Sequence, residues 1–111
     1  MTGYDTRQIG ETVVVQPTGR LNMVAAPRLR EQLRELVDGG ARRLVVDLGS
    51  TEFIDSSGLG ALISGLKAAR QAGGDLRIAA PTEQVRRVLT LTKLDKVLTA
   101  YGSAEDAFDG Y

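Results

Sequence analysis

The sequence predicts an α/β protein: a single domain over residues 1–111, with a mixed sheet of about four to five strands and about four helices packed chiefly on one side. Three observations carry this prediction. The chain opens with an alternating stretch and a β-branched stretch separated by Gly10-Glu11, the pattern of a hairpin. Strand-like and helix-like segments then alternate to the end, with no internal repeat, linker or low-complexity segment between them. Among them lies Arg43 to Leu48, a continuous apolar run of the kind covered by helices in parallel sheets.

In chain order, Tyr4 to Ile9 alternates and Thr12 to Thr18 is Thr-Val-Val-Val-Gln-Pro-Thr, so the two form the hairpin. Pro17 cannot donate a ladder hydrogen bond and belongs at a bulge or on an unpartnered side of its strand. From Ala25 the period lengthens: Leu29, Leu33, Leu36 and Val37 share a helical face, Pro27 sits in the first turn, and Gly39-Gly40 stops the helix. Arg28, Arg30, Glu31, Arg34 and Glu35 lie off that face, where solvation and weak ion pairing are expected. Arg43 to Leu48 is expected at the centre of the sheet, and Gly49 to Ile54 as a short loop after it.

A second helix is expected to open at Leu59, bury Leu59, Leu62, Ile63 and Leu66, and end near Gly73-Gly74. Asp75 to Ala80 reads as a further strand and Pro81-Thr82 as a turn and cap. Val85, Val88, Leu89 and Thr92 then form a third helical face. Lys96 to Thr99 is a short strand candidate. Ser103-Ala104-Glu105-Asp106 is expected to open a small closing helix, with Ser103 as its cap and the two carboxylates near the positive end of its dipole.

Composition closes several routes of function. Lys plus Arg and Asp plus Glu balance at 14 each, so no overall field draws the chain to nucleic acid or anionic lipid, and a charged partner must be met by a local patch. No apolar run approaches the roughly 20 residues of a membrane span, so no membrane insertion is expected. The polar start, Met1 to Gly10, lacks a secretory pattern, and together with the absence of cysteine it points to a cytoplasmic address. With neither histidine nor cysteine, imidazole-assisted nucleophiles and the usual zinc sites are excluded.

Asp55-Ser56-Ser57-Gly58 puts two hydroxyls at a strand-to-helix junction, where free N–H groups and the positive end of the helix dipole favour a negative charge. The residues alone leave two readings open. Ser and Asp are ordinary N-caps, and a phosphate carried on one of the serines would suit the same place. A Gly-x-Ser-x-Gly hydrolase elbow is excluded because Asp55 stands two residues before Ser57 and no histidine base exists. No P-loop sequence is present.

Several segments stand in a recognisable order: Gly19-Arg20-Leu21-Asn22, Leu44-Val45-Val46-Asp47-Leu48, Phe53-Ile54-Asp55-Ser56-Ser57-Gly58-Leu59-Gly60, Leu76-Arg77-Ile78, and Val85-Arg86-Arg87-Val88-Leu89 through Ala107. In this arrangement the chain resembles, over nearly its whole length, the stand-alone STAS domains of bacterial anti-sigma factor antagonists. The resemblance implies a STAS-like fold without catalysis or cofactor. It also implies that Ser57, the second serine of the motif, is phosphorylated by a cognate anti-sigma factor that is a serine kinase, with Ser56 as its neighbour and Asp55 fixing the loop. The unphosphorylated form would bind that anti-sigma factor and release sigma; the phosphorylated form would not, until a serine phosphatase restored it.

The partner-binding residues expected from this resemblance are Asn22, Met23, Asp55, Ser56, Ser57, Gly58, Leu59 and Gly60, within the segments Gly19 to Val24 and Asp55 to Gly60. Asn22 departs from the family, which often has aspartate there at the end of the first long strand; it is either a polar turn residue or an interface residue. Gly58 and Gly60 serve either close packing within the domain or close approach of a partner. Met23 and Val24 are either core residues or apolar contacts. The alternative function is a STAS subunit regulating or scaffolding a membrane transport or lipid-trafficking assembly, against which the intact Ser56-Ser57 pair argues.

Overall fold

The computed structural model describes residues 3–109. Its first half runs β1 (Asp5–Ile9), β2 (Thr12–Gln16), β3 (Gly19–Leu21), α1 (Ala26–Asp38), β4 (Arg43–Asp47) and β5 (Thr51–Ile54). Its second half runs α2 (Ser56–Gln71), β6 (Asp75–Ala79), α3 (Glu83–Leu91), a 3-10 turn (Leu94–Lys96) and β7 (Ala100–Tyr101). The main sheet has five strands in the order β1-β2-β4-β6-β7. β1 is antiparallel to β2, and the remaining pairs are parallel. The α/β class with a mixed sheet is therefore as the sequence predicts.

The hairpin turns at Gly10, whose φ of +59° lies in the left-handed region that a residue without Cβ adopts freely. β4 is central, as the apolar Leu44-Val45-Val46 at its middle implies, because both of its faces are covered. Leu44 and Val46 point into a core shared with Leu29, Leu33, Leu62, Leu66, Val85 and Leu89 from the three helices. Val45 points the other way, to join Val14, Ala79, Ala104, Ala107 and Phe108. The helices thus cover one face, and the C-terminal turns close the other.

Six local expectations are corrected. Gly49 to Ile54 is not simply a loop: after the Gly49-Ser50 turn the chain forms β5, which pairs in parallel with β3 as a second, two-stranded sheet. Register shifts between Gly19 and Arg20, leaving Glu52 as the extra residue of a bulge. These strands of three and four residues are too short to show a period, and their pairing spans the whole of α1. Accordingly Asn22 does not end the first long strand; it follows β3, which is separated from β2 by buried Pro17 and by Thr18.

The second helix opens at Ser56 rather than Leu59, because Asp55 caps it three residues earlier, and Ile63 is only partly buried. The strand expected over Lys96 to Thr99 lies instead at Ala100–Tyr101, where the free edge of β6 pairs Ile78 with Ala100 and Ala79 with Tyr101. The preceding residues turn on Lys93, at φ +62°, and bury Leu98 as a plug.

The closing helix is a series of turns. The N–H groups of Asp106, Ala107 and Asp109 donate to carbonyls three residues back, and the carbonyl of Ala107 accepts from Arg77 Nη1 at 2.8 Å. Ser103 still acts as a cap, its Oγ accepting from the Asp106 N–H at 3.3 Å. Helical winding yields here to the covering of Val14, Val45 and Ala79 by Ala104, Ala107 and Phe108.

Candidate functional site

Parallel pairing of β3 and β5 brings Leu21 opposite Ile54, so the residues that follow, Asn22 to Val24 and Asp55 to Gly60, leave the small sheet side by side. The Asp55 N–H donates to the Leu21 carbonyl at 3.4 Å, tying the two exits together. Each exit is set by an acceptor side chain. Asn22 Oδ1 accepts from the N–H groups of Val24 and Ala25 at 3.1 and 3.2 Å, and its carbonyl accepts from Ala25 and Ala26, turning the chain into α1. Asp55, in extended conformation at φ −123°, caps α2 by accepting on Oδ1 from the N–H groups of Ser57 at 2.9 Å and Gly58 at 3.1 Å.

Capping changes the electrostatics expected at the motif. The N–H groups of Ser57 and Gly58, expected to be free for an anion, are already taken by the Asp55 carboxylate. Added negative charge on Ser57 would find both of these donors already engaged. Ser56 is exposed and Ser57 half-buried, as the first two residues of the helix.

The two glycines of the segment differ. A Cβ on Gly58 would collide with the Leu21 carbonyl oxygen and lie 2.7 Å from Ile54 Cγ1, so Gly58 is buried because α2 starts against the small sheet. A Cβ on Gly60 would meet only Arg30 Nη2, at 3.6 Å. Leu59 is 4% exposed and packs in the core. Met23 and Val24 are 72% and 83% exposed, which removes the core reading for both. Asn22 is committed to its turn, a role that leaves its partly exposed amide at the surface.

Residues beyond the motif hold it in place. The side-chain amide of Gln84, in the first turn of α3, accepts from the Ile54 N–H at 3.0 Å and donates to the Ile54 carbonyl at 3.2 Å, replacing a strand on the outer edge of β5. Thr51 Oγ1 donates to the Pro17 carbonyl at 3.1 Å, and Thr82 Oγ1 donates to the Thr51 carbonyl at 3.2 Å. Arg20 stacks over Phe53, 4.5 Å from the ring centre. Sequence reasoning missed Gln84, and a glutamine at a helix start carries no signal of a bond some 30 residues away. Among the described residues, no group of three or more His, Cys, Asp or Glu side chains comes together as a metal site. No helix among them is long and apolar enough to cross a membrane.

The STAS domain family model matches residues 4–107. The chain belongs to the STAS domain family. Among curated relatives, this STAS domain is 29% identical over 101 residues to the anti-sigma-B factor antagonist of Bacillus subtilis, covering 91% of this chain and 92% of the relative. Among solved structures, an anti-sigma factor antagonist from Mycobacterium paratuberculosis is 30% identical with a TM-score of 0.84, covering 95% of this chain and 89% of that one. The Bacillus anti-sigma factor antagonist SpoIIAA shares the fold in both its unphosphorylated form (21% identical, TM-score 0.72, 97% of this chain and 96% of that one) and its phosphorylated form (22%, 0.73, 97% and 98%).

Proposed function

We propose that this STAS domain is an anti-sigma factor antagonist whose unphosphorylated form binds a kinase-type anti-sigma factor and releases the sigma factor, and that phosphorylation of Ser57 switches the binding off. The observation that carries this reading is the face on which Ser57 lies. It opens a capped helix beside exposed Ser56, with solvent-exposed Met23 and Val24 on the adjoining strand exit. Family membership and the names of the relatives support the same reading. The domain acts as ligand and substrate, with no catalysis of its own. A serine phosphatase would return the modified form to the active pool.

The switch needs no refolding. Phosphate adds about −1.5 to −2 charges and three acceptor oxygens. Asp55 already occupies the N–H groups of Ser57 and Gly58, so that charge finds both of these donors engaged. Bulk, desolvation and repulsion then fall on the complex rather than on the free domain. A loss of about 3 to 4 kcal/mol corresponds to a few hundredfold in affinity.

The test is affinity capture with wild type, Ser57→Ala and Ser57→Asp, with mass spectrometry of the bound proteins and phosphosites. Wild type and Ser57→Ala should retain a kinase-type anti-sigma factor, Ser57→Asp should lose it, and phosphate added by that kinase should map to Ser57. Capture indifferent to all three variants, phosphate only elsewhere, or recovery of a transporter subunit in place of the kinase would overturn the reading.

A further inference from the structure

A groove of about 610 Å³ runs along α2 from Ser56 to Gln71, walled by Arg34 of α1 on one side and by Thr92 and Leu94 beyond α3 on the other. Its floor is apolar at Leu59 and Ile63, and Gly60 and Ser64, one turn apart, keep it low between them. Arg34 and Lys67 line it, whereas among the described residues no carboxylate does. Outside this lining, Arg30 Nη2 lies 3.6 Å from the Cβ position of Gly60.

Glu31 and Glu35 of α1 line other recesses, with Gly3, Gln8 and Arg28. Arg30, Arg34 and Lys67 make no ion pair with any described residue, although the whole chain is neutral with 14 charges of each sign. Two cations without an ion pair among the described residues, set beside an apolar floor, call for an occupant that supplies both apolar surface and negative charge.

We propose that this groove is the docking site for an acidic amphipathic helix of the protein partner. The groove follows α2, whose 16 residues span about 24 Å, room for some four helical turns. An apolar face laid on Ile63 and Leu94 would bring flanking carboxylates to Arg34 and Lys67. The mouth of the groove is Ser56, within the segment Asp55 to Gly60, so a helix seated there runs up to Ser57. The identity of the partner rests on the function proposed above; the preference of the groove for an acidic helix does not.

The test is a nitrogen-15 NMR titration of the full chain with a synthetic helical peptide of about four turns carrying leucines on one face and glutamates on its flanks. Parallel titrations use the same peptide with lysines for glutamates, phosphatidylglycerol vesicles and a single-stranded oligonucleotide. The acidic peptide should shift the amides of Gly60, Ile63, Ser64, Lys67 and Leu94. Affinity should fall at least about tenfold in the double variant Arg34→Glu, Lys67→Glu, whose altered side chains are exposed. A chain that binds this peptide but captures no anti-sigma factor would fail the proposed function alone. The docking proposal is overturned if the groove amides stay unmoved, if the lysine peptide shifts them equally, or if vesicles or oligonucleotide occupy the groove and the acidic peptide does not.

Discussion

Gly58 and Gly60 are equivalent in the sequence and opposite in the structure. The site a Cβ would occupy on Gly58 is taken by the Leu21 carbonyl, whose own position is fixed by the pairing of β3 with β5. Backbone at that point cannot yield as a flexible side chain would, so Gly58→Ala should cost about 1–3 kcal/mol in urea denaturation. Gly60→Ala meets only the end of Arg30 and should be neutral or gain up to about 1 kcal/mol through helix propensity. Equal stability of Gly58→Ala and wild type would show that contact with Leu21 does not fix the start of α2. The reading left open between packing and partner access thus divides: Gly58 packs, and Gly60 leaves space at the surface.

At the scale of elements, α3 completes the small sheet through one side chain. Gln84 pairs with both backbone groups of Ile54, the residue before the Asp55 cap, so an error there propagates directly into the helix start. Gln84→Ala should cost about 1–3 kcal/mol by leaving a partly buried donor and acceptor without partners. Amide exchange should accelerate at Ile54 and Asp55 more than in β4; uniform acceleration would indicate general destabilisation instead. Elements long enough to show a period were legible in the sequence: the hairpin, α1, β4, α2, β6 and α3. β3, β5 and β7 have three, four and two residues, and their pairing is decided by distant chain that no local pattern records. The site divides along the same line. That the Asp55-Ser56-Ser57-Gly58 segment lies at a helix start follows from local residue types, whereas the choice of Asp55 as the cap, which puts Ser57 in the first turn, and the clamp by Gln84 depend on geometry.

Across the whole molecule, the sheet separates stability from the proposed recognition. Its helix-covered face carries the large core and, at one end, the exits of β3 and β5. Its other face is closed by Ala104, Ala107 and Phe108, with Arg77 stacked 4.3 Å from the Phe108 ring centre. Phe108 is 8% exposed and belongs to the cluster on the face away from the helices, so Phe108→Ala should lower stability by about 3 kcal/mol and leave partner affinity of the folded fraction unchanged. Met23→Ser and Val24→Ser remove apolar groups that already face water, so their stability should stay within about 0.5 kcal/mol of wild type while partner capture falls. Urea denaturation and a capture assay on the same preparations measure both quantities. If Phe108→Ala abolished capture at temperatures where it remains folded, the two faces would be coupled through β4 and recognition would belong to the whole sheet. If Met23→Ser and Val24→Ser bound as wild type does, the interface would be confined to α2 and its groove.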